Sequence, residues 1–327
     1  VMHGSRDYFQ IKISPDFFIE VVPVKKVKNP KESENITDLS YSHVNYIKRK
    51  LKSSRILDEV RIAKAFCYAN NCYGAESYIQ GFSGYSLELL IYYYGSFLKF
   101  VKAMTNAKDK IVIDIEKKFR NKQEVLMNVN SSKLQSPIVL IDPTYKQRNA
   151  LAALSDETFE KFKEVSKKFL KTPSVKFFEI QKTDLEKIKQ SAKKNKNEFI
   201  LLEAKTEKQE GDVAGSKLLK FYKHLKSEIS RFFEIKNKGF DYSKEKSAKF
   251  FFVVKSRKEI LCDGPNINDK KNIIAFKKKH KYIMIKKGKI FAKEKINFSV
   301  EEFIEKWKLK NKGKMRDMYI GELKIVD

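Results

Sequence analysis

Apolar and polar residues alternate at 9–14 (FQIKIS), and an apolar-rich run follows at 17–24 (FFIEVVPV), with Pro15 and Asp16 between them. That pattern predicts two β-rich strands separated by a turn. A hairpin that joins no larger sheet is only marginally stable, so the sequence leads one to expect further strands upstream of Val1. A polar, Lys-rich linker with Pro30 comes next, and the period then changes from two to three or four. Helices are predicted over 38–52, with Asp38 or Ser40 as N-cap, over 54–71, where Leu57, Val60, Ile62, Ala63 and Phe66 repeat at helical spacing, and over 83–104 with a break near Gly95.

Strand-like runs follow at 111–115, 124–129 and 137–143, then a short helix from about Arg148 and a longer one after Ser155 that carries Phe159, Phe162, Val165, Phe169 and Leu170. Beyond it the pattern predicts a helix at 183–194, a strand at 199–204 and a long helix at 214–236. Strands at 250–254, 258–263, 282–287 and 289–295, a helix at 299–309 and a last strand within MYIGELKIV complete the chain. Strands and helices occur without strict βαβ repetition, which argues for an α+β, multidomain chain.

Charge adds a partner class to this picture. Lys and Arg number 69 against 41 Asp and Glu, a formal net charge of +28. A polyanion such as nucleic acid explains the excess, because each phosphate neutralised releases counterions; a Lys-rich solvated surface explains it equally well. No apolar run reaches the roughly 18 to 20 residues of a bilayer span, so neither a membrane segment nor a signal peptide is expected, and a cytoplasmic location is. Cys67, Cys72 and Cys262 make no even framework and no Cys-x-x-Cys pair, which suits ordinary thiols in a reducing compartment.

The segment YGAESYIQGFSGYSLELLIYYYGSF, residues 73–97, narrows the reading much further. It resembles the neck of the archaeal-type (class I) CCA-adding tRNA nucleotidyltransferases, and four more blocks fit that family in order: IEVVPV (19–24), DLSYSHVNYI (38–47), IDPTYKQRNALAALS (141–155) and GPNINDKKNIIAF (264–276). Five blocks in register are far more specific than one short motif. The resemblance implies a partial nucleotidyltransferase head at 1–35, a helical neck at 36–135, and an α+β body with an RNA-binding tail at 136–327. It also implies that the first two catalytic carboxylates lie on an Asp-x-Asp element after a Gly-Ser turn. Gly4-Ser5 is followed by no such pair before Glu20, so the chain alone is expected not to catalyse, and a missing or separate polypeptide is expected to carry the rest of the head.

Within that resemblance Glu20 stands where the family has its third, metal-binding carboxylate, usually Asp, with Ile19 and Val21 expected to pack beneath it; Mg²⁺ is the implied cofactor. Ser40, His43, Lys64 and Tyr73 match positions that hold the incoming triphosphate, and hydroxyl, imidazole and ammonium groups all donate to phosphate oxygens. Arg148 matches the arginine that meets the incoming base and tRNA phosphates, with Asp142 and Asn149 expected to orient it. Two departures are plain: Leu39-Ser40-Tyr41 replaces Arg-Thr-Pro, and Gln80 stands where Arg is common. Gly81 and Gly84 allow tight turns, Ser83 is expected to cap the helix behind them, and Phe82 and Tyr85 are expected to pack the neck. In the tail, a Gly-Pro turn precedes a basic run, and Lys277, Lys278, Lys279, His280, Lys286 and Lys287 are the expected RNA contacts through backbone and shape.

The resemblance thus implies template-independent addition of CCA to tRNA 3′ ends from CTP and ATP, on the acceptor–TΨC minihelix, by a homodimer. A non-catalytic tRNA-binding module is the competing class. A poly(A)- or oligoadenylate-type transferase, which shares a three-carboxylate head, is a third.

Overall fold

In the computed structural model, which describes residues 1–2, 6–14, 17–180, 183–208, 210–280 and 282–326, the chain divides into two units, residues 1–182 and 183–327. Pro15, Asp16, Gly4 and Ser5, on which two of the sequence expectations fall, lie outside the described residues.

The first unit opens with β1 (Phe9–Ser14) and β2 (Phe17–Val21), an antiparallel pair in which Gln10 faces Glu20. No other strand joins this pair among the described residues, and side chains on both of its faces are exposed. Ile19 and Val21 are therefore not packed beneath Glu20 as expected, because no second layer covers the ribbon. The linker is tied back by Asp38, whose buried carboxylate accepts from the backbone N–H groups of Lys25, Glu34 and Asn35 and from Arg6. Asp38 thus closes a capping box with Asn35 in a 3-10 turn and does not cap the next helix. Ser40 is the first residue of that helix, not its cap, and Leu39 precedes it.

Helices α1 (Ser40–Lys50), α2 (Ser54–Ala69), α3 (Gly84–Tyr94) and α4 (Phe97–Asn106) follow, with Gly95 in the left-handed conformation making the expected break. β3 (Ile111–Ile113) pairs in parallel with β4 (Ile138–Leu140), Ile111 opposite Ile138. That ladder joins the segment after residue 136 to the strand before α5 within the first unit, which ends at residue 182. Between the two strands, the expected strand 124–129 is α5 (Lys122–Asn128), started by Asn121, whose side chain accepts from Glu124 N–H. The short helix expected from Arg148 is a chain reversal, closed by a bridge from Ile141 to Asn149. α6 (Asp156–Lys171) then brings Phe159, Phe162 and Phe169 into a core shared with Phe66, Phe82, Phe97 and Phe100. Phe66, Phe82, Phe100 and Phe162 are fully buried, and their rings meet at tilted or edge-on angles with centroids 4.9–6.0 Å apart.

The second unit holds α7 (Leu185–Lys194), β5 (Glu198–Thr206), α8 (Asp212–Ser230), β6 (Phe233–Asp241), β7 (Ser247–Ser256), β8 (Glu259–Asn266), α9 (Lys270–Lys279), β9 (Ile283–Lys286), β10 (Lys289–Lys295), α10 (Val300–Lys310), α11 (Lys312–Asp317) and β11 (Ile320–Val326). An antiparallel sheet runs in the order β11-β5-β7-β6. Successive residues of a strand face opposite sides. Ile200, Leu202, Ala204, Phe250, Phe252 and Val254 accordingly meet α8 and α10, whereas Leu201, Phe251 and Val253 meet Ala192 of α7. Burial on both faces explains why FFFVV reads as a continuous apolar run instead of an alternating one. The helix expected over 214–236 stops at Ser230, and its last residues begin β6.

A second, smaller sheet is ordered β8-β10-β9. The expected Gly264-Pro265 turn lies inside β8, on its edge, where the register against β10 shifts. The α+β expectation holds in both units, and among the described residues no helix is long and apolar enough to cross a membrane.

Candidate functional site

Tight backbone pairing places the first group of site residues. Cys72 C=O accepts from Phe82 N–H and Gly74 C=O from Gly81 N–H, each at 2.8 Å, so the YGAE and GFSGY blocks lie side by side with Tyr73 bridged to Phe82. A Cβ on Gly81 would sit 2.2 Å from the Cys72 carbonyl oxygen, which is why the position needs glycine. Ser83 caps α3 as expected, accepting from Ser86 N–H at 3.1 Å.

The first turn of α3 is where Lys64 and Tyr73 arrive. A Cβ on Gly84 would stand 3.0 Å from the Tyr73 hydroxyl and 3.7 Å from Lys64 Nζ, so the bare glycine admits a hydroxyl and an ammonium to the start of a helix. Helix starts favour anions, through unpaired N–H groups and the axial dipole. Lys64 is meanwhile held by Glu88 of α3 at 2.7 Å. Tyr68, one turn beyond Lys64 on α2, lays its exposed ring edge-on to Tyr73 with centroids 6.3 Å apart.

The next residue, Tyr85, leads into the second group. Its hydroxyl donates to Asp142 Oδ1 at 3.1 Å, and its ring stacks on His43 with centroids 4.0 Å apart. His43 Nε2 meets Asp142 Oδ2 at 2.9 Å, and Arg148 donates to the same oxygen at 2.7 Å. Thr144 gives Oδ1 both its N–H and its hydroxyl, each at 2.8 Å, the local turn that an Asp-Pro-Thr sequence favours. Burial alone would raise the Asp142 carboxyl, but the His43 hydrogen bond and charge, the Arg148 guanidinium and the Thr144 N–H outweigh it and hold it well below the usual carboxylate range. Burial, then the Asp142 charge, push the Tyr85 hydroxyl well up, so it stays a donor.

Of the residues expected from the sequence, Lys64 and Tyr73 meet at Gly84, and His43 and Arg148 meet on Asp142, with the consecutive Gly84 and Tyr85 joining the two groups. Asp142 orients Arg148 as expected. Asn149 does not, because its amide is spent inside the fold, accepting from Leu140 and Leu151 N–H and donating to Lys133 and Ile138 C=O. Ser40 is exposed at the start of α1. Glu20 accepts from Gln10 at 3.1 Å, and among the described residues no hydrogen bond or ion pair joins it to either group. Phe82 packs the core as expected, but Tyr85 belongs to the Asp142 cluster; its place next to Gly84 was the one signal for it. Thr144 and Glu88 were also missed.

In the second unit Lys277, Lys278 and Lys279 end α9, and Lys286 and Lys287 lead into the β9–β10 turn; all five are exposed. His280 is not, since its side chain is 7% exposed, its ring packs on Phe276 at 4.2 Å, and its Nδ1 lies 2.7 Å from a Glu294 carboxylate oxygen without a hydrogen bond. Among the described residues no three His, Cys, Asp or Glu side chains gather as a metal site would require.

Comparison with known proteins bears on this arrangement directly. Residues 58–179, which contain Lys64, Tyr73, Gly84, Tyr85, Asp142 and Arg148, match the family described as tRNA nucleotidyltransferase, second domain. The chain is similar to archaeal CCA-adding enzymes. It is 37% identical to the CCA-adding enzyme of Nanoarchaeum equitans over 185 residues, 57% of this chain and 46% of that protein. It is 28% identical to that of Methanocaldococcus jannaschii over 295 residues, 89% of this chain and 65% of the relative. With the Methanosarcina mazei enzyme it shares 36% identity over 176 residues, 54% of this chain and 36% of that protein. The aligned portion thus spans between about a third and two thirds of these CCA-adding relatives, and the archaeal-type resemblance read from the five blocks agrees with all three.

Proposed function

We propose that this chain is the tRNA-holding and nucleotide-holding part of a CCA-adding tRNA nucleotidyltransferase that transfers C, C and A from CTP and ATP to the tRNA 3′ end. The observation that carries the reading is the meeting of Lys64, Tyr73 and Gly84 at the start of α3, one residue from the cluster that Asp142 organises. The first set supplies an ammonium, a hydroxyl and helix N–H groups for a triphosphate. The second fixes a guanidinium whose remaining donors can meet a base edge or an RNA phosphate. His43, with Nε2 engaged by Asp142, acts in this reading by holding the carboxylate and the Tyr85 ring in place; a direct role on the triphosphate falls to Lys64 and Tyr73, with Ser40 at the start of α1.

Phosphoryl transfer of this kind rests on positioning and charge neutralisation, to which Mg²⁺ would contribute when bound. The described residues do not by themselves fit such an ion. Glu20 offers one exposed carboxylate with no second acid gathered beside it, so the remaining carboxylates are assigned to a polypeptide segment outside this chain. The exposed lysines of α9 and of the β9–β10 turn suit the acceptor–TΨC minihelix, which is gripped by shape and backbone. Work in the cytoplasm and as a homodimer belongs to the same proposal.

A non-catalytic tRNA-binding role is the second reading, favoured by Glu20 having no acid cluster about it among the described residues. The two separate in one assay: the chain is combined with a polypeptide carrying the Gly-Ser and Asp-x-Asp elements, and labelled CTP and ATP are offered to tRNA ending at the discriminator base. Incorporation of both, stopping after three nucleotides, is expected. ATP uptake without CTP would reject CCA addition, and no uptake with intact tRNA binding would leave the binding module. Arg148→Ala is expected to depress addition by about 5- to 150-fold while tRNA affinity falls less than about threefold, because a base-meeting donor costs about 1–3 kcal/mol of discrimination where one phosphate contact among many costs little. Equal losses would remove Arg148 from nucleotide selection.

A further inference from the structure

Three elements of the second unit bring unusual groups to one place. Lys208 follows β5, Lys217 lies in the second turn of α8, and Tyr319 stands between α11 and β11. The Nζ atoms of Lys208 and Lys217 lie 4.2 Å and 4.4 Å from the centre of the Tyr319 ring. The two ammoniums are therefore no farther apart than the sum of those distances, and among the described residues neither has a carboxylate within ion-pair reach. Two like charges converge on a ring whose face attracts cations.

The backbone of Tyr319 marks the place further. Its φ is +64°, and it follows a helix end, where glycine is the usual occupant. The other non-glycine residues in that conformation are Asn71, Gln80 and five lysines, so Tyr319 is the one ring among them in the described residues. It is held there from both sides, donating its N–H to Arg316 C=O at 2.8 Å and accepting at its C=O from the buried Thr206 hydroxyl at 2.6 Å. The ring is nonetheless 46% exposed, so burial does not explain it. A bulky residue fixed in a strained conformation with its ring in solvent is the pattern of a contact site.

We propose that Lys208, Lys217 and Tyr319 form an RNA-backbone contact on the second unit, in which the ring presents both ammoniums to one phosphate or to two successive ones. The proposal rests on the reading of the chain as tRNA-binding, and it adds a grip separate in sequence from the α9 lysines. Ammonium groups bind phosphate as point charges and carry no base specificity, so the contact would hold any tRNA alike.

The test titrates the full chain with a tRNA acceptor–TΨC minihelix at several salt concentrations. For K208Q/K217Q the slope of log K against log salt is expected to be shallower by about 2, about 1 for each lysine lost, with affinity near 0.1 M salt lower by about tenfold. K208R/K217R should keep the slope. Y319G relieves the backbone and removes only the ring, so it should lower affinity a few-fold with the slope kept. Wild-type slopes and affinities in both K208Q/K217Q and Y319G would overturn this site alone. Failure of the unsubstituted chain to bind the minihelix would overturn the tRNA reading with it. Loss of poly-glutamate binding in K208Q/K217Q, with minihelix binding unchanged, would assign the site to an acidic protein and reject the RNA contact.

Discussion

The two units handle charge in opposite ways. In the first, the carboxylate of Asp142 is fully buried, and it collects donors from His43, Arg148, Tyr85 and Thr144. In the second, Lys208 and Lys217 lean on the Tyr319 ring without an ion pair to a carboxylate among the described residues, and the lysines of α9 stand in solvent. A paired, buried network fixes geometry before a ligand arrives, which suits a group that must discriminate between bases. Unpaired cations give affinity that depends on salt and ignores sequence, which suits a grip on a polyanion. The same contrast appears in the backbone. Gly84 leaves out a side chain so that Lys64 and Tyr73 can approach, whereas Tyr319 keeps a ring where glycine would be comfortable.

The strongest way to break this comparison is to remove the carboxylate. Asp142→Ala leaves a guanidinium and an imidazole facing a cavity, and breaking a buried pair from one side costs about 3–5 kcal/mol; partial exposure of Arg148 places the expected loss near 3. Urea unfolding followed by far-UV circular dichroism should show an early transition for the first unit. Trp307, the one tryptophan, packs in the core of the second unit, so its fluorescence transition is expected to stay where it is. A loss below 1 kcal/mol would mean that the network is decorative.

Acid should reach the same network next. The folded-state value of Asp142 lies below its ordinary value, so its contribution is complete above about pH 4, where the unfolded carboxyl is also ionised. It is lost as pH falls through the folded-state value, because the unfolded chain then binds the extra proton. The urea midpoint of the first unit is expected to fall more steeply below pH 4 in the wild type than in Asp142→Ala. Parallel curves would show that other carboxylates govern the acid limb.

How far this site was legible in the sequence depends on the range of each interaction. Lys64, Tyr73, His43 and Arg148 could be named because their blocks resemble a family, and Ser83 and Thr144 sit in local patterns, a helix cap and an Asp-Pro-Thr turn. The meeting of Tyr85 with His43 spans 42 positions of chain and leaves no local trace. Asn149 was misassigned for a related reason: its neighbour Arg148 turns to the site, while its own amide turns inward to close β4. The fold shows the same division. β7 was plain because its apolar run is buried on both faces, but EVLMNV reads as a strand by composition and is a helix because Asn121 caps it. β6 was absorbed into α8 since no glycine or proline marks the end at Ser230, and α9 was hidden by its lysines, although Asp269 caps it by accepting from Asn272 N–H.

The smallest expected change is the most selective one, at Gly84. A methyl group there would stand 3.0 Å from the Tyr73 hydroxyl, so the ring must yield by a few tenths of an ångström, and the half-buried Tyr73 has room to do so. The cost of that shift opposes the gain of about 0.5–1 kcal/mol that alanine brings over glycine in a helix, and the global stability of Gly84→Ala is expected to stay within about 0.5 kcal/mol of wild type. In the proposed reading the shifted hydroxyl would nonetheless lose its aim on a phosphate, and one hydrogen bond of about 0.5–1.5 kcal/mol corresponds to a roughly two- to twelvefold weaker triphosphate. Titration of the chain with CTP and ATP measures this, and minihelix affinity in the same variant should not move, since the atoms nearest the methyl group belong to Tyr73 and Lys64. Unchanged nucleotide affinity would show that the start of α3 is a packing junction and that the triphosphate, if bound, lies elsewhere.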